Sequence, residues 1–149
     1  MELYPLQFDP IFKERIWGGE KLKTLLNKSI TSSITGESWE LSTVEGDVSV
    51  VANGPLKGKS LTTVINESPA AILGTSVYAR FGAQFPLLFK YLDAREDLSI
   101  QVHPNDALAK KRHNSFGKTV CCCITRPVHS STAALDTSSP QMSCIATNK

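Results

Sequence analysis

Phe85-Pro86-Leu87-Leu88-Phe89-Lys90-Tyr91-Leu92 and Leu98-Ser99-Ile100-Gln101-Val102-His103 are the two stretches whose reading decides the fold. The first is apolar apart from one lysine, the pattern of a strand covered on both faces, and it predicts the core. The second alternates: Leu98, Ile100 and Val102 face one way, Ser99, Gln101 and His103 the other. Pro104 ends it, and Asn105 or Asp106 is placed to cap a helix through Ala107 to Arg112. Upstream, Gly36-Glu37-Ser38-Trp39-Glu40-Leu41-Ser42 also alternates, with Trp39 and Leu41 on the buried face of a strand, Trp39 reading as core. Val48-Ser49-Val50-Val51 is a β-branched run closed by the turn Asn53-Gly54-Pro55. Strands lying this close together predict a mainly β sandwich or barrel.

The helices predicted around it are small and peripheral. Leu22, Leu25 and Leu26 recur at helical spacing after Gly18-Gly19. Ser60 is placed to cap a helix through Leu61, Val64 and Ile65, and Ser68-Pro69 with Gly74 frames another.

Composition excludes several classes. The chain has 149 residues, 41% of them hydrophobic, with a formal net charge of +2. One domain is expected, without the strong basic field that nucleic acid or a membrane surface attracts. No apolar run approaches a membrane span, and Met1-Glu2-Leu3-Tyr4-Pro5 has no basic n-region or apolar h-region. A cytoplasmic location is the expectation. Lys110-Lys111-Arg112 reads as a solvated helix face.

The averages conceal a break. Residues 1–119 hold 27 charged residues, whereas residues 120–149 hold only Arg126, Asp136 and Lys149, alongside nine Ser or Thr. All four cysteines (Cys121, Cys122, Cys123 and Cys144) lie in the second part. Three adjacent cysteines are neither a usual disulfide framework nor a usual zinc spacing, so a thiolate site from Cys121, Cys123 and His129 is disfavoured.

The polar row Ser99, Gln101, His103 is the candidate for chemistry. Side chains two apart on a strand point the same way, so Gln101 and His103 could converge on one metal ion. Lys90, alone in its apolar strand, would suit an anionic ligand beside it. Taken by spacing alone, Gln-x-His is more often a surface or hydrogen-bonded core pair, and Lys90 could snorkel at a strand end.

At this point the string resembles a family. Leu98-Ser99-Ile100-Gln101-Val102-His103-Pro104-Asn105-Asp106 is similar to the metal-binding segment of type I mannose-6-phosphate isomerases. Collinear with it run Lys13-Glu14-Arg15-Ile16-Trp17-Gly18-Gly19, Gly36-Glu37-Ser38-Trp39, Asn53 to Lys59, Phe85 to Lys90 and His113 to Thr119. The resemblance covers residues 1–119. It implies a cupin-type β-barrel, one zinc ion, and isomerisation of mannose 6-phosphate to fructose 6-phosphate through a cis-enediol. By the same resemblance Gln101 and His103 are metal ligands, and Lys90 and Ser99 belong to the sugar-phosphate pocket. A Lewis acid on the sugar oxygens would stabilise the enediolate while acid/base groups move the proton between C1 and C2.

The family pattern carries a glutamate ligand directly after Gly-Lys-Thr, where this chain has Val120. A further histidine ligand and a catalytic arginine lie downstream in the family. With two ligands of four, the expectation is an incomplete barrel that holds zinc poorly and turns over little substrate. Residues 120–149 read as a divergent, frameshifted tail without fixed structure. The alternatives are a non-catalytic cupin-like module that binds a sugar phosphate or metal, and a fragment that does not fold stably because strand edges stay unpaired.

Overall fold

A computed structural model describes residues 4–98, 103–114, 117 and 120. The chain divides into two compact units, Met1–Glu96 and Asp97–Lys149.

The first unit is organised by an antiparallel sheet of three strands in the order β1-β2-β5, with β1 Ile11–Gly19, β2 Thr35–Leu41 and β5 Phe89–Leu92. A short hairpin of β3 (Thr43–Val44) and β4 (Asp47–Val48) follows β2, turning at Gly46 with φ 82°. Between the strands lie α1 Lys21–Thr24, α2 Leu61–Glu67, α3 Pro69–Leu73 and α4 Thr75–Phe81. The architecture is mainly β with small helices, as expected, and its sheets are open among the described residues.

Register explains how the sheet sorts its side chains. Lys13 lies opposite Glu37 and Ile11 opposite Trp39 on β1, while Leu92 lies opposite Glu37 and Lys90 opposite Trp39 on β5. Directly paired residues share a face. One face therefore carries Ile11, Lys13, Glu37, Trp39, Lys90 and Leu92. The other carries Phe12, Ser38 and Tyr91.

β1 leaves register after Glu14 and rejoins at Gly19, both pairing with Thr35. The excursion passes so close over β2 that a Cβ on Gly36 would lie 2.6 Å from the Trp17 ring and 2.7 Å from Arg15 Cβ. A Cβ on Gly18 would meet the Ile34 carbonyl oxygen at 2.4 Å. Gly18 is required by close backbone approach, and Gly36 by the Trp17 and Arg15 side chains lying over it. The bulge brings Arg15 back toward β2 and leaves Ile16 85% exposed.

The core sits elsewhere than the apolar stretch suggests. Its buried hydrophobic members in this unit are Leu22, Ile30, Val51, Leu61, Val64 and Ile65. Three of them come from α2, which is therefore a core element, while α3 and α4 bury no residue. Ser60 caps α2 as expected, its hydroxyl accepting from Thr63 N–H at 3.1 Å, and Pro69 opens α3. In α1 only Leu22 is buried; Leu25 and Leu26 lie past the helix end, each nearly half exposed.

Residues 85–92 correct the expectation of a buried core strand. Only Phe89–Leu92 form a strand, and Leu87, Phe89 and Leu92 are 66%, 50% and 45% exposed. The reason is that an apolar run does not say what will lie over its strand: among the described residues β5 pairs with β2 alone, and its side chains stay largely exposed. Trp39 is half-buried instead of core, because its ring lies under charged side chains.

The N-terminal segment is latched onto the Asn53-Gly54 turn. The Tyr4 hydroxyl donates to the Asn53 carbonyl at 2.9 Å and accepts from Leu56 N–H, while Asn53 Oδ1 accepts from Gln7 N–H. Gly54, at φ 62°, lies against the Tyr4 ring.

In the second unit the described element is α5, Asp106–His113. Of the two candidate caps Asn105 is the one used, its Oδ1 accepting from Leu108 N–H at 3.0 Å. Lys110, Lys111 and Arg112 are exposed, as a solvated face should be. Leu98 is 47% exposed, and residues 99–102 of the alternating stretch lie outside the described residues, as does the tail from residue 121.

Candidate functional site

The sheet face bearing Lys90 is built around a carboxylate. Glu37 is only 6% exposed, and every hydrogen bond recorded to its side chain comes from another side chain. Oε1 accepts from Lys90 Nζ at 2.9 Å; Oε2 accepts from Trp39 Nε1 at 2.7 Å and from Arg15 at 3.1 Å. The three donors arrive from three different strands, Arg15 through the β1 bulge, Trp39 two residues along β2, and Lys90 diagonally from β5. Long side chains reach across such a diagonal.

Around this carboxylate the charges interlock. Lys13 pairs with Asp47 and also sits 5.2 Å from the centre of the Trp39 ring. Lys90 Nζ lies 5.9 Å from the same ring. Burial pushes the Glu37 carboxyl upward, but hydrogen bonds from Lys90 and Trp39 and the charges of Lys90 and Arg15 outweigh it, so the group lies below its ordinary 4.5. It is an anion at neutral pH. Lys90 keeps a quarter of its side chain exposed, and its ammonium carries three donors, one of which meets Glu37.

The opposite face differs. A groove of about 520 Å³ runs there, with Leu6, Phe8, Leu41, Phe89 and Tyr91 in its lining. Glu40 at its side pairs with Lys28 at 2.7 Å, and Lys28 also lies over the Tyr91 ring.

The sequence candidates fall as follows. Lys90 is in the charged cluster, paired rather than snorkelling alone. His103 precedes α5, exposed, in a hollow of about 380 Å³ shared with Asn105, Leu108 and Arg112. Ser99 and Gln101 lie outside the described residues. Among the described residues no three His, Cys, Asp or Glu side chains gather as a metal site. A catalytic zinc wants about three protein ligands. His103 has suitable donor chemistry, but the described residues alone do not make a zinc site.

Glu37, Arg15, Lys13 and Asp47 were not singled out from the sequence. One signal did exist: Glu37 lies two residues before Trp39 and shares its face, whereas Leu41, expected there too, comes after a register shift and lines the opposite groove. A charge at an inward strand position needs a partner.

Fold and face together describe a mainly β domain that presents a polar, cation-bearing side of its sheet. The sequence model described as phosphomannose isomerase type I, catalytic domain, matches residues 5–120, and the chain belongs to that family.

Among its relatives is a probable mannose-6-phosphate isomerase, GmuF, of Bacillus subtilis, 47% identical over 122 residues, covering 81% of this chain and 37% of the relative. The mannose-6-phosphate isomerase ManA of the same organism is 44% identical, covering 83% and 38%. A crystal structure of a Bacillus subtilis mannose 6-phosphate isomerase superposes with a TM-score of 0.68 at 42% identity, covering 76% of this chain and 35% of that one. A holo, zinc-bound mannose 6-phosphate isomerase superposes with a TM-score of 0.58 at 29% identity, covering 71% and 27%. The chain thus spans a little over a third of the length of the curated Bacillus relatives. Among the described residues no helix is long and apolar enough to cross a membrane.

Proposed function

We propose that residues 1–119 form the N-terminal part of a mannose-6-phosphate isomerase site, serving the interconversion of mannose 6-phosphate and fructose 6-phosphate. The observation that carries this reading is Lys90, held on the polar sheet face by Glu37 at 2.9 Å within the region that matches the family. An ammonium so placed donates to an anionic phosphate or a sugar oxygen. By the family resemblance Ser99 is expected to contribute a hydroxyl toward the sugar phosphate, and Gln101 and His103 are the expected metal ligands. Zinc, when bound, would polarise the sugar oxygens. The substrate is a small sugar phosphate, with neither nucleic acid nor membrane involved, and the protein works in the cytoplasm. Residues 120–149 are a divergent tail in this reading, which reading the coding DNA beyond the Thr119 codon tests.

A second reading, binding without turnover, is favoured by Val120 at the position after Gly-Lys-Thr where the family resemblance places a glutamate ligand. An isomerase assay of the 149-residue chain with added zinc separates the two. Turnover of mannose 6-phosphate supports the enzyme, saturable binding without turnover supports the module, and failure of both overturns both. His103→Ala should weaken zinc binding at least about tenfold. Unchanged zinc affinity would remove His103 from the ligand set.

A further inference from the structure

We propose that Glu37 is a positioning residue: it fixes the Lys90 ammonium and the Trp39 indole in one arrangement on the sheet face, so that Lys90 offers its remaining donors to the ligand. This rests on the sugar-phosphate reading of the face and adds to it a residue with no direct part in the chemistry.

Three observations carry it. Both Glu37 oxygens are already committed and the residue is 6% exposed, so it is not built to reach a substrate atom. Its partners are side chains from β1, β2 and β5, which makes it the one point at which the orientations of Arg15, Trp39 and Lys90 are set together. A buried ion pair is seldom the cheapest way to stabilise a sheet, since apolar residues of similar volume do as well or better. What the carboxylate adds over an apolar residue is a defined place for a lysine that otherwise samples many rotamers. Lys13, by contrast, is tied to Asp47, and Arg15 is 38% exposed at the bulge. Of the two cations on Glu37, Lys90 is the less exposed, at 25% against 38% for Arg15.

The sign of one substitution separates positioning from simple charge. Glu37→Gln keeps the volume and removes a negative charge beside Lys90 and Arg15. If Glu37 only balanced charge, the variant would bind anions more tightly. If it positions Lys90, the variant should bind mannose 6-phosphate about fivefold more weakly, because the ordering of the lysine must then be supplied on binding.

The experiment is a titration of the full chain with mannose 6-phosphate, and with inorganic phosphate as a charge-only probe, followed by NMR of the Lys90 ammonium and the Trp39 indole N–H. In Glu37→Gln the Lys90 ammonium signal should broaden away, the Trp39 signal should move, and mannose 6-phosphate should weaken. Glu37→Asp keeps the charge on a shorter arm, so it should weaken binding as well, and it supplies the test if the glutamine variant does not unfold cooperatively. Unchanged or tighter mannose 6-phosphate binding in a cooperatively folded variant overturns the proposal, as does an unchanged Lys90 signal. If the wild-type chain binds no mannose 6-phosphate while Lys90 and Trp39 still respond to Glu37→Gln, the sugar-phosphate reading is what fails, and a positioning role with nothing to position falls with it.

Discussion

β2 and β5 are neighbours in one sheet and invert the usual rule of burial. β2 buries Thr35, Gly36, Glu37 and Ser38, while β5 leaves Phe89, Tyr91 and Leu92 between a third and a half exposed. Hydropathy alone would have assigned the two strands the other way round. The difference teaches that burial follows place in the sheet: a central strand is covered whatever it carries, and its polar groups must then find partners. β2 does so, and no buried side-chain nitrogen or oxygen among the described residues is left without one. β5, at the sheet's edge among the described residues, buries no residue and faces no such demand.

The comparison is most exposed at Gly36. A Cβ there meets the Trp17 ring and Arg15, so Gly36→Ala should destabilise by about 1–3 kcal/mol in denaturant unfolding. A cost near zero would mean the β1 bulge does not press on β2 as described.

A smaller effect is expected from acid. The folded state holds Glu37 below its ordinary 4.5, so it favours the carboxylate over the protonated form. That contribution is complete above the unfolded value and is lost as pH falls through the folded one. Wild type should therefore lose stability relative to Glu37→Gln as pH falls from the ordinary carboxylate value of 4.5 through the lower folded one. Parallel pH profiles for the two proteins would contradict the central role of the carboxylate.

On β5 the smallest change is expected. Phe89→Ser, half exposed at the edge, should shift stability by no more than about 0.5 kcal/mol. A loss of several kcal/mol would show that β5 is covered, and the contrast between the strands would collapse.

Much of this was legible in the sequence and some was not, for identifiable reasons. The strand around Trp39, the Ser60 and Asn105 caps, the Asn53-Gly54-Pro55 turn and the solvated Lys110-Lys111-Arg112 face are local signals and read true. The in-out alternation of that strand did not, since Ser42 is fully buried and Trp39 and Leu41 only half-buried. The core did not read true. An apolar run such as Phe85–Leu92 does not say how many neighbours its strand will have. Likewise Leu61, Val64 and Ile65 look like one modest helix face until tertiary packing makes α2 a core element. For the candidate site, Lys90 stood out as a lone charge in an apolar stretch. Glu37 did not, because its meaning depends on Arg15 and Lys90, which lie 22 and 53 positions away in the chain. Ser99 and Gln101 lie outside the described residues, so their roles rest on the resemblance and on the proposal built from it.

The central claim is that the face held together by Glu37 receives a sugar phosphate through Lys90. Calorimetric titration of mannose 6-phosphate into the wild-type chain and into Lys90→Met tests it most directly. Saturable binding by the wild type, weakened at least about tenfold in Lys90→Met by loss of a charge-assisted contact, is the predicted result. Equal affinity in the two proteins, with both unfolding cooperatively, would contradict it.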